Sequence, residues 1–321
     1  MRVVVTGVRS RTHLVHVSAY LRDALRTADS LDVDYVGGGR FIGNATVSSD
    51  DVAKFLPDDA RLSVRVLSSM QEWTPDGAEL TYVAVGAPGI KPWTDLRRRQ
   101  GRSRIRVVVT DEGIGSYGTW RTRHDAWTRQ GLREPWCSVR TTAVRVADAT
   151  LTSQRFAMYD KTRNWELDRR IAGEFRWRTS AGDEHGSDRA VLLTQPWVEM
   201  GSLPEDVYRA HIEAIHERTA ALGLRLVIRP HPAEHIDRYD DFETLPGDRP
   251  AELDGRIVDS ALILGGTSTA LLNLAALHGL RCYRVQVPGL EHLEQRLGAN
   301  QRALLERYLP ALIPVADIPA G

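Results

Sequence analysis

The 321-residue sequence contains few cysteines, few lysines and no long hydrophobic run. Cys137 and Cys282 are its only cysteines, and two distant thiols provide no disulfide framework, so we expect a reducing, cytoplasmic setting. The apolar run at residues 3–5 is too short for the core of a signal peptide. No run approaches the roughly 18 apolar residues of a membrane span. We therefore predict no transmembrane segment and at most a peripheral contact with a membrane.

Net charge is also absent, because 42 basic and 42 acidic residues cancel. This balance gives no reason to expect a nucleic acid as a partner. Lysine occurs only at positions 54, 91 and 161, so arginine carries nearly all of the positive charge. Between residues 91 and 145, 12 arginines and one lysine stand against five acidic residues. This segment could bind an anionic glycan, although arginines that are simply exposed to water are the alternative.

Short apolar runs alternate with helical patterns along the chain. The runs lie at residues 3–6, 33–36, 62–67, 80–85 and 105–110 in the first half, and at 191–194, 224–228, 261–264 and 281–287 in the second. Uninterrupted apolar runs separated by helices are typical of a parallel sheet that is covered on both faces. The polar, glycine-containing segment 179–189 lies between the two series. We therefore predict an α/β protein of two Rossmann-like domains, residues 1–185 and 186–321, and the last helix could pack back on the first domain.

Two short patterns are matched incompletely or too weakly to assign a site. The glycines at positions 37, 38, 39 and 43 do not have the G-x-G-x-x-G spacing of a dinucleotide-binding loop. Asp32-Val33-Asp34 matches the D-x-D with which some glycosyltransferases hold a metal, but alternating aspartates beside a strand are common. We favour a structural role for both patterns.

The apolar run 224–228 leads directly into Pro230-His231-Pro232. Proline fixes its own φ and keeps the residue before it out of the α region, so Arg229 and His231 should both be extended. An imidazole with an ordinary pKa can donate a proton or a hydrogen bond to a departing phosphate at neutral pH. A turn whose histidine has only a structural role is the alternative.

Two further segments carry groups suited to catalysis. Asp111-Glu112-Gly113 follows the run 105–110, at the strand end where ligands of open α/β sheets bind. Its adjacent carboxylates should point in different directions, so one could act as a general base, while Gly113 permits a sharp turn. An ordinary acidic turn is the alternative.

The second segment, Gly265-Gly266-Thr267-Ser268-Thr269, precedes an apolar helical pattern. Hydroxyls and backbone N–H groups at a helix N-terminus bind phosphates and carboxylates well. A helix cap without a ligand is one alternative. A second is the nucleophile elbow of a hydrolase, with Ser268 as nucleophile and His278 or His292 as base.

The order Asp-Glu-Gly, His-Pro and Ser/Thr run resembles that of the bacterial GT-B sialyltransferases, which include capsule polysialyltransferases and lipooligosaccharide sialyltransferases. Asp111-Glu112-Gly113 is similar to their D/E-D/E-G motif, His231-Pro232 to their HP motif, and Thr267-Ser268-Thr269 to their serine motif. Residues 191–201, with Gln195 before a proline, are similar to the strand and turn that open the nucleotide-binding domain of that group.

The resemblance implies a GT-B fold in which two Rossmann-like domains face a cleft, the first on the acceptor side and the second binding the nucleotide sugar. It implies inverting transfer of sialic acid from CMP-sialic acid to a glycan hydroxyl, without metal or cofactor. Asp111 would be the base, with Glu112 as the second candidate, and His231 would assist departure of CMP. The residues that would bind the donor are Gly113, Gln195, Pro232, Gly266, Thr267, Ser268 and Thr269.

The chain departs from the family pattern at Arg229, where related sequences often have lysine, and its donor could be another nonulosonic acid such as Kdn. Two alternative functions remain open. One is a GT-B transferase that moves glycerol phosphate or ribitol phosphate from a CDP-activated donor. The other is a catalytically silent GT-B module that binds an anionic glycan.

Overall fold

The computed structural model describes residues 1–37, 47–129, 131–179 and 188–319. The chain divides into two compact units, Met1–Glu174 and Phe175–Gly321. Most of segment 179–189, including the predicted domain boundary between residues 185 and 186, lies outside the described residues. The same is true of glycines 38, 39 and 43.

Unit 1 is built on a six-stranded parallel sheet in the order β3-β2-β1-β4-β5-β6. This is the Rossmann order, in which the direction of strand addition reverses between β1 and β4. Its strands are β1 Arg2–Thr6, β2 Leu31–Val36, β3 Leu62–Leu67, β4 Leu80–Val85, β5 Ile105–Thr110 and β6 Gln154–Phe156. Its other elements are α1 Arg11–Ala24, α2 Ser49–Phe55, α3 Ile90–Gln100, α4 Trp120–Arg129, α5 Trp136–Leu151, a small antiparallel pair of β7 Tyr159–Asp160 and β8 Glu166–Leu167, and α6 Arg169–Arg178, which extends into unit 2.

The apolar residues of the unit 1 strands explain why its sheet is parallel and covered on both faces. All six residues of β4 are buried, and the valines of β1 are fully buried, as expected for central strands that are covered on both faces. One face packs a core that includes Tyr82, Leu96 and Trp73. All five strands predicted in this half are confirmed, and β6, with only three residues, is an addition that no apolar run indicated.

Unit 2 contains a four-stranded parallel sheet in the order β10-β9-β11-β12. Strand β11 follows β10 in the sequence but lies on the other side of β9, so the strand order reverses at the β9–β11 pair. The strands are β9 Arg189–Leu193, β10 Arg225–Arg229, β11 Leu262–Gly265 and β12 Cys282–Arg284. The helices are α7 Glu205–Ala221, α8 Gly255–Val258, α9 Thr269–His278, α10 Glu291–Gln295 and α11 Ala299–Tyr308.

Helix ends in unit 2 follow the sequence signals. Pro204 is the N-cap residue of α7, and Gly223, just beyond that helix, has φ of 73°. Gly279 closes α9 in the left-handed conformation and donates its N–H to Ala275 O, which is the usual role of glycine at a C-terminus. Strand β12 is shorter than the predicted 281–287, because Val285 makes only an isolated bridge to Ile313. Within the described ranges, no helix is both long and apolar enough to cross a membrane.

Candidate active-site residues

Asp111 lies directly after β5, at the carboxyl edge of the sheet of unit 1, and is only 2% exposed. Its Oδ2 accepts the hydroxyl of Tyr117 at 2.5 Å and the backbone N–H of Met158 at 2.7 Å. Met158 reaches this position because β6 pairs in parallel with β5 and Phe156 lies opposite Thr110, so the residues that follow the two strands are neighbours. Oδ1 is buried and has no hydrogen-bond partner among the described residues. One carboxylate oxygen is therefore fixed, and the other is available to a ligand.

Burial raises the pKa of Asp111 from its ordinary value of 3.8 to about 6. The hydrogen bonds from Tyr117 and Met158 and the charge of Arg155 oppose this effect, and the neighbouring Glu112 adds to it. A carboxyl with such a pKa is mostly ionised at pH 7 but takes up a proton more readily than an ordinary aspartate. These are the properties of a general base that works near neutral pH.

Glu112 points in a different direction. Its side chain is 33% exposed, and its Oε1 lies 3.8 Å from the guanidinium of Arg123 on α4. The carboxylate packs against Gly86, where a Cβ would overlap it. Gly113 has φ of 109° and ψ of −157°, a conformation that only glycine adopts easily. The turn therefore separates the two carboxylates, one buried and one partly exposed.

His13, in the first turn of α1, also lies at this edge of the sheet. Its Nε2 is 3.4 Å from Glu112 O, and its Nδ1 accepts the N–H of Arg9 at 3.1 Å. Burial lowers the pKa of His13 to about 4, so the ring is neutral and its Nε2 donates to the carbonyl. We did not predict His13 as a site residue, although its position in the first turn of the helix that follows the first strand was a usable signal.

In unit 2, Gln195 and Gly266 lie at the ends of the adjacent strands β9 and β11, where the order of the sheet reverses. Gln195 donates from Nε2 to Thr267 O at 3.3 Å. A Cβ on Gly266 would lie 2.5 Å from Gln195 Oε1, so a larger residue at this position would displace the end of the Gln195 side chain. Gln195 Oε1 is buried and receives no hydrogen bond from the described residues.

The three hydroxyls at the N-terminus of α9 have different contacts. Ser268 is the N-cap residue, but its side chain does not cap the helix. The Thr267 hydroxyl donates to Glu294 at 3.3 Å, and Glu294 in turn accepts from Arg284 at 2.7 Å. Thr269 is the first residue of the helix. The unused cap and the helix dipole make this N-terminus suited to an anionic group.

His231 follows β10 and is held by its backbone. Its N–H donates to Glu234 at 2.7 Å and to the Thr194 hydroxyl at 3.2 Å. The Glu234 side chain is fully buried and also accepts from the hydroxyls of Tyr239, at 2.8 Å, and Thr194. We did not predict Glu234 or Thr194, but a glutamate three residues after His231 resembles a capping residue and was a usable signal.

The pKa of the His231 imidazole differs from the ordinary value that we expected. Burial lowers its pKa to about 4, although Glu199 opposes the effect. Its Nδ1 accepts the N–H of Ala233 at 3.1 Å, which leaves the proton of the neutral ring on Nε2. Without a ligand the ring is therefore a hydrogen-bond donor at pH 7, and a bound phosphate would be needed to raise its pKa. Pro232 is exposed.

In the D-x-D pattern, which we interpreted as structural, Asp34 has structural contacts. Asp34 is buried and forms ion pairs with Arg2 at 3.1 Å and Arg65 at 2.7 Å. Ser268 and His278 lie at opposite ends of α9, about 15 Å apart for a ten-residue helix. His278 therefore cannot serve Ser268 as a base.

Some arginines of the basic segment 91–145 are also used within the fold. Arg97 donates to Gly101 O and Ser103 O, and Arg140 stacks on Trp127 with 3.9 Å to the ring centroid. These contacts explain part of the arginine excess without a ligand.

No protein-family model and no curated protein matches the sequence, whereas many solved structures resemble its fold. A putative UDP-N-acetylglucosamine 2-epimerase from Listeria monocytogenes has a TM-score of 0.53 at 10% identity, covering 95% of this chain and 86% of that one. An α/β-galactoside α-2,3-sialyltransferase from Photobacterium phosphoreum has a TM-score of 0.51 at 8% identity, with 99% of each chain covered. CalG4, the calicheamicin glycosyltransferase, has a TM-score of 0.51 at 13% identity, covering 99% of this chain and 87% of that one.

The chain has the GT-B fold. The predicted fold class, α/β with two Rossmann-like doubly wound domains, is thereby confirmed. Within this GT-B chain, Asp111, Glu112 and Gly113 lie together in unit 1. Gln195, His231, Pro232 and residues 266–269 lie at the carboxyl ends of three neighbouring strands of unit 2.

Proposed function

We propose that this chain is a glycosyltransferase that moves sialic acid, or a related nonulosonic acid, from a CMP-activated donor to a glycan hydroxyl. The transfer would be inverting and independent of metal. The observation that carries the proposal is Asp111, a buried carboxylate at the ligand-binding edge of a parallel sheet, with a pKa of about 6 and one oxygen that has no hydrogen-bond partner among the described residues. The order of the three motifs supports the choice of donor.

In this mechanism Asp111 is the general base. Tyr117 and Met158 hold Oδ2, so Oδ1 can accept the proton of the acceptor hydroxyl. The acceptor oxygen then forms a bond to the anomeric carbon, while the bond from that carbon to the phosphate oxygen breaks and CMP departs. Attack from the face opposite to the leaving group inverts the configuration, and Asp111 later returns its proton to water.

The leaving group needs stabilisation of its negative charge. The Nε2–H of the neutral His231 and the N-terminus of α9, with Ser268 and Thr269, are suited to the phosphate and the sugar carboxylate. Gln195 Oε1, which lacks a donor among the described residues, can accept a hydrogen bond from the nucleotide. Thr267 supports this region through Glu294. The exposed arginines of segment 91–145 would suit an anionic acceptor.

The test is acceptor-dependent release of CMP from CMP-Neu5Ac in chelator-treated buffer. Asp111→Asn and His231→Ala should each lower turnover by about a hundredfold or more. Asp32→Asn, an exposed aspartate of β2, and His216→Ala, an exposed histidine of α7, are matched controls that should retain activity. Glu112→Gln should retain more activity than Asp111→Asn if Asp111 is the base.

A panel of donors separates the alternatives. Release with CDP-glycerol but not with CMP-Neu5Ac would identify a polyol-phosphate transferase and contradict the sialic acid donor. Conversion of UDP-N-acetylglucosamine would indicate an epimerase, and binding of glycans without affinity for any nucleotide would indicate a silent module. Equal activity of the wild type and Asp111→Asn would contradict the assignment of the base.

A further inference from the structure

Three different metal-ligating side chains converge between α4 and α5, and none of them has a role in the proposed transfer. His124 lies on α4, Glu134 just before α5, and Cys137 in the first turn of α5. One ligand atom from each lies within 4.8 Å of the others, and the residues that the structure describes contain no second group of this kind. We propose that His124, Glu134 and Cys137 bind a Zn²⁺ ion.

The donor set fits this ion. Zn²⁺ accepts imidazole nitrogen, thiolate sulfur and carboxylate oxygen at about 2.0–2.3 Å, so tetrahedral ligand atoms lie about 3.3–3.6 Å apart. His124 Nε2 is 2.5 Å from Glu134 Oε1, and a bound ion would replace this hydrogen bond by separating the two atoms by about 1 Å. Water, or the Ser138 hydroxyl at 3.4 Å from Nε2, would complete the coordination.

Cys137 must lose a proton when the ion binds. Its thiol is fully buried and donates to His124 O at 3.3 Å. Coordination forms the zinc–sulfur bond and breaks the sulfur–hydrogen bond, and the released proton passes to solvent. Because the Glu134 side chain is 56% exposed and that of His124 is 20% exposed, the ion can enter from the surface while the thiolate stays protected from water.

The surroundings of His124 are those of a positioned ligand. Trp120 stacks on its ring with centroids 4.8 Å apart, and Asp125 Oδ1 lies 3.9 Å from Nδ1. Coordination through Nε2 leaves Nδ1–H facing that carboxylate. A carboxylate on the second ring nitrogen orients a histidine ligand and increases its basicity.

The position suggests a structural ion rather than a catalytic one. A bond from α4 to α5 through the metal would fix α4, and α4 also carries Arg123, whose guanidinium is 3.8 Å from Glu112. Zinc would thus stabilise the helix that contacts the acidic turn without touching Asp111. Only this effect on the helix that contacts the acidic turn depends on the proposed function. The zinc site itself does not depend on it.

The test uses the full chain without a polyhistidine tag, stripped with chelator and titrated with Co²⁺. Thiolate coordination gives a sulfur-to-cobalt charge-transfer band in the near ultraviolet. The wild type should show this band at one equivalent, and Zn²⁺ should abolish it. Cys137→Ser should lack the band, and Cys282→Ser, which changes the other buried cysteine, should keep it.

His124→Gln and Glu134→Gln keep the thiol, so they test the site even if Cys137→Ser fails to fold. Each should weaken Zn²⁺ binding by about tenfold or more in calorimetry, and Zn²⁺ should raise the Tm of the wild type more than that of either variant. Absence of the band in the wild type would overturn the proposal. So would a band that survives in Cys137→Ser, or zinc affinity that neither glutamine substitution lowers.

Discussion

Asp111→Asn should stabilise the fold at neutral pH while it removes the proposed base. The pKa of Asp111 is about 6 in the folded protein and 3.8 ordinarily, so folding favours the neutral form of this side chain. The stabilising contribution is fully present below about pH 3.8 and is lost as pH rises through about 6. The difference of about 2.2 pH units corresponds to about 3 kcal/mol. Asparagine matches the neutral aspartic acid in shape and can still accept from Tyr117 and Met158.

The measurement is urea unfolding of the wild type and Asp111→Asn at pH 4 and pH 8. Tryptophan fluorescence is a suitable signal, because six of the eight tryptophans lie in unit 1. The free energy of unfolding of the variant, relative to wild type, should increase by up to about 3 kcal/mol between the two pH values. Asp32→Asn is the control and should show no such increase. A relative stability that is independent of pH, or that falls at pH 8, would refute the assignment of a raised pKa to Asp111.

Three further substitutions test the local geometry. Gly113→Ala should lower stability by about 1–3 kcal/mol because the left-handed φ strains any side chain. An unchanged Tm would contradict the backbone conformation assigned to Gly113. Gly266→Ala should displace Gln195 and weaken CMP binding in calorimetry by about tenfold. Unchanged affinity would show that Gln195 does not bind the nucleotide. Both oxygens of Glu234 accept hydrogen bonds, one from the His231 N–H and the other from Tyr239, so Glu234→Gln places an NH2 group against one of these donors and should lower stability by about 1–3 kcal/mol; unchanged unfolding in urea would show that this carboxylate does not fix the turn.

The strands could be predicted because parallel sheets require uninterrupted apolar runs. The run 80–85 became β4, and 105–110 became β5, since burial on both faces leaves no place for polar residues. The glycine and proline signals placed the ends of α7 and α9 for equally local reasons. Strand β6 escaped prediction because it consists of Gln154, Arg155 and Phe156 and forms only by pairing with β5.

The contacts that tune the candidate site could not be predicted, because they join residues distant in sequence. Met158 donates to Asp111 across 47 positions, and His13 reaches Glu112 across 99. The pKa of His231 was expected near its ordinary value, since no local pattern reports how deeply a ring is buried. Local sequence gives the residue type and the strand end, whereas burial depends on the whole unit.

A purely structural role of Asp111 does not explain its environment. A turn that needed only to accept the Tyr117 hydroxyl and the Met158 N–H could use asparagine, which satisfies both donors without a charge. The carboxylate instead costs about 3 kcal/mol at neutral pH and leaves Oδ1 without a partner among the described residues. A buried charge that destabilises its own fold, two residues before a glycine in a conformation unfavourable to other residues, is the pattern of a site whose geometry serves a reaction. The stability that Asp111→Asn should gain and the turnover that the proposed mechanism expects it to lose are therefore two measurements of the same charge.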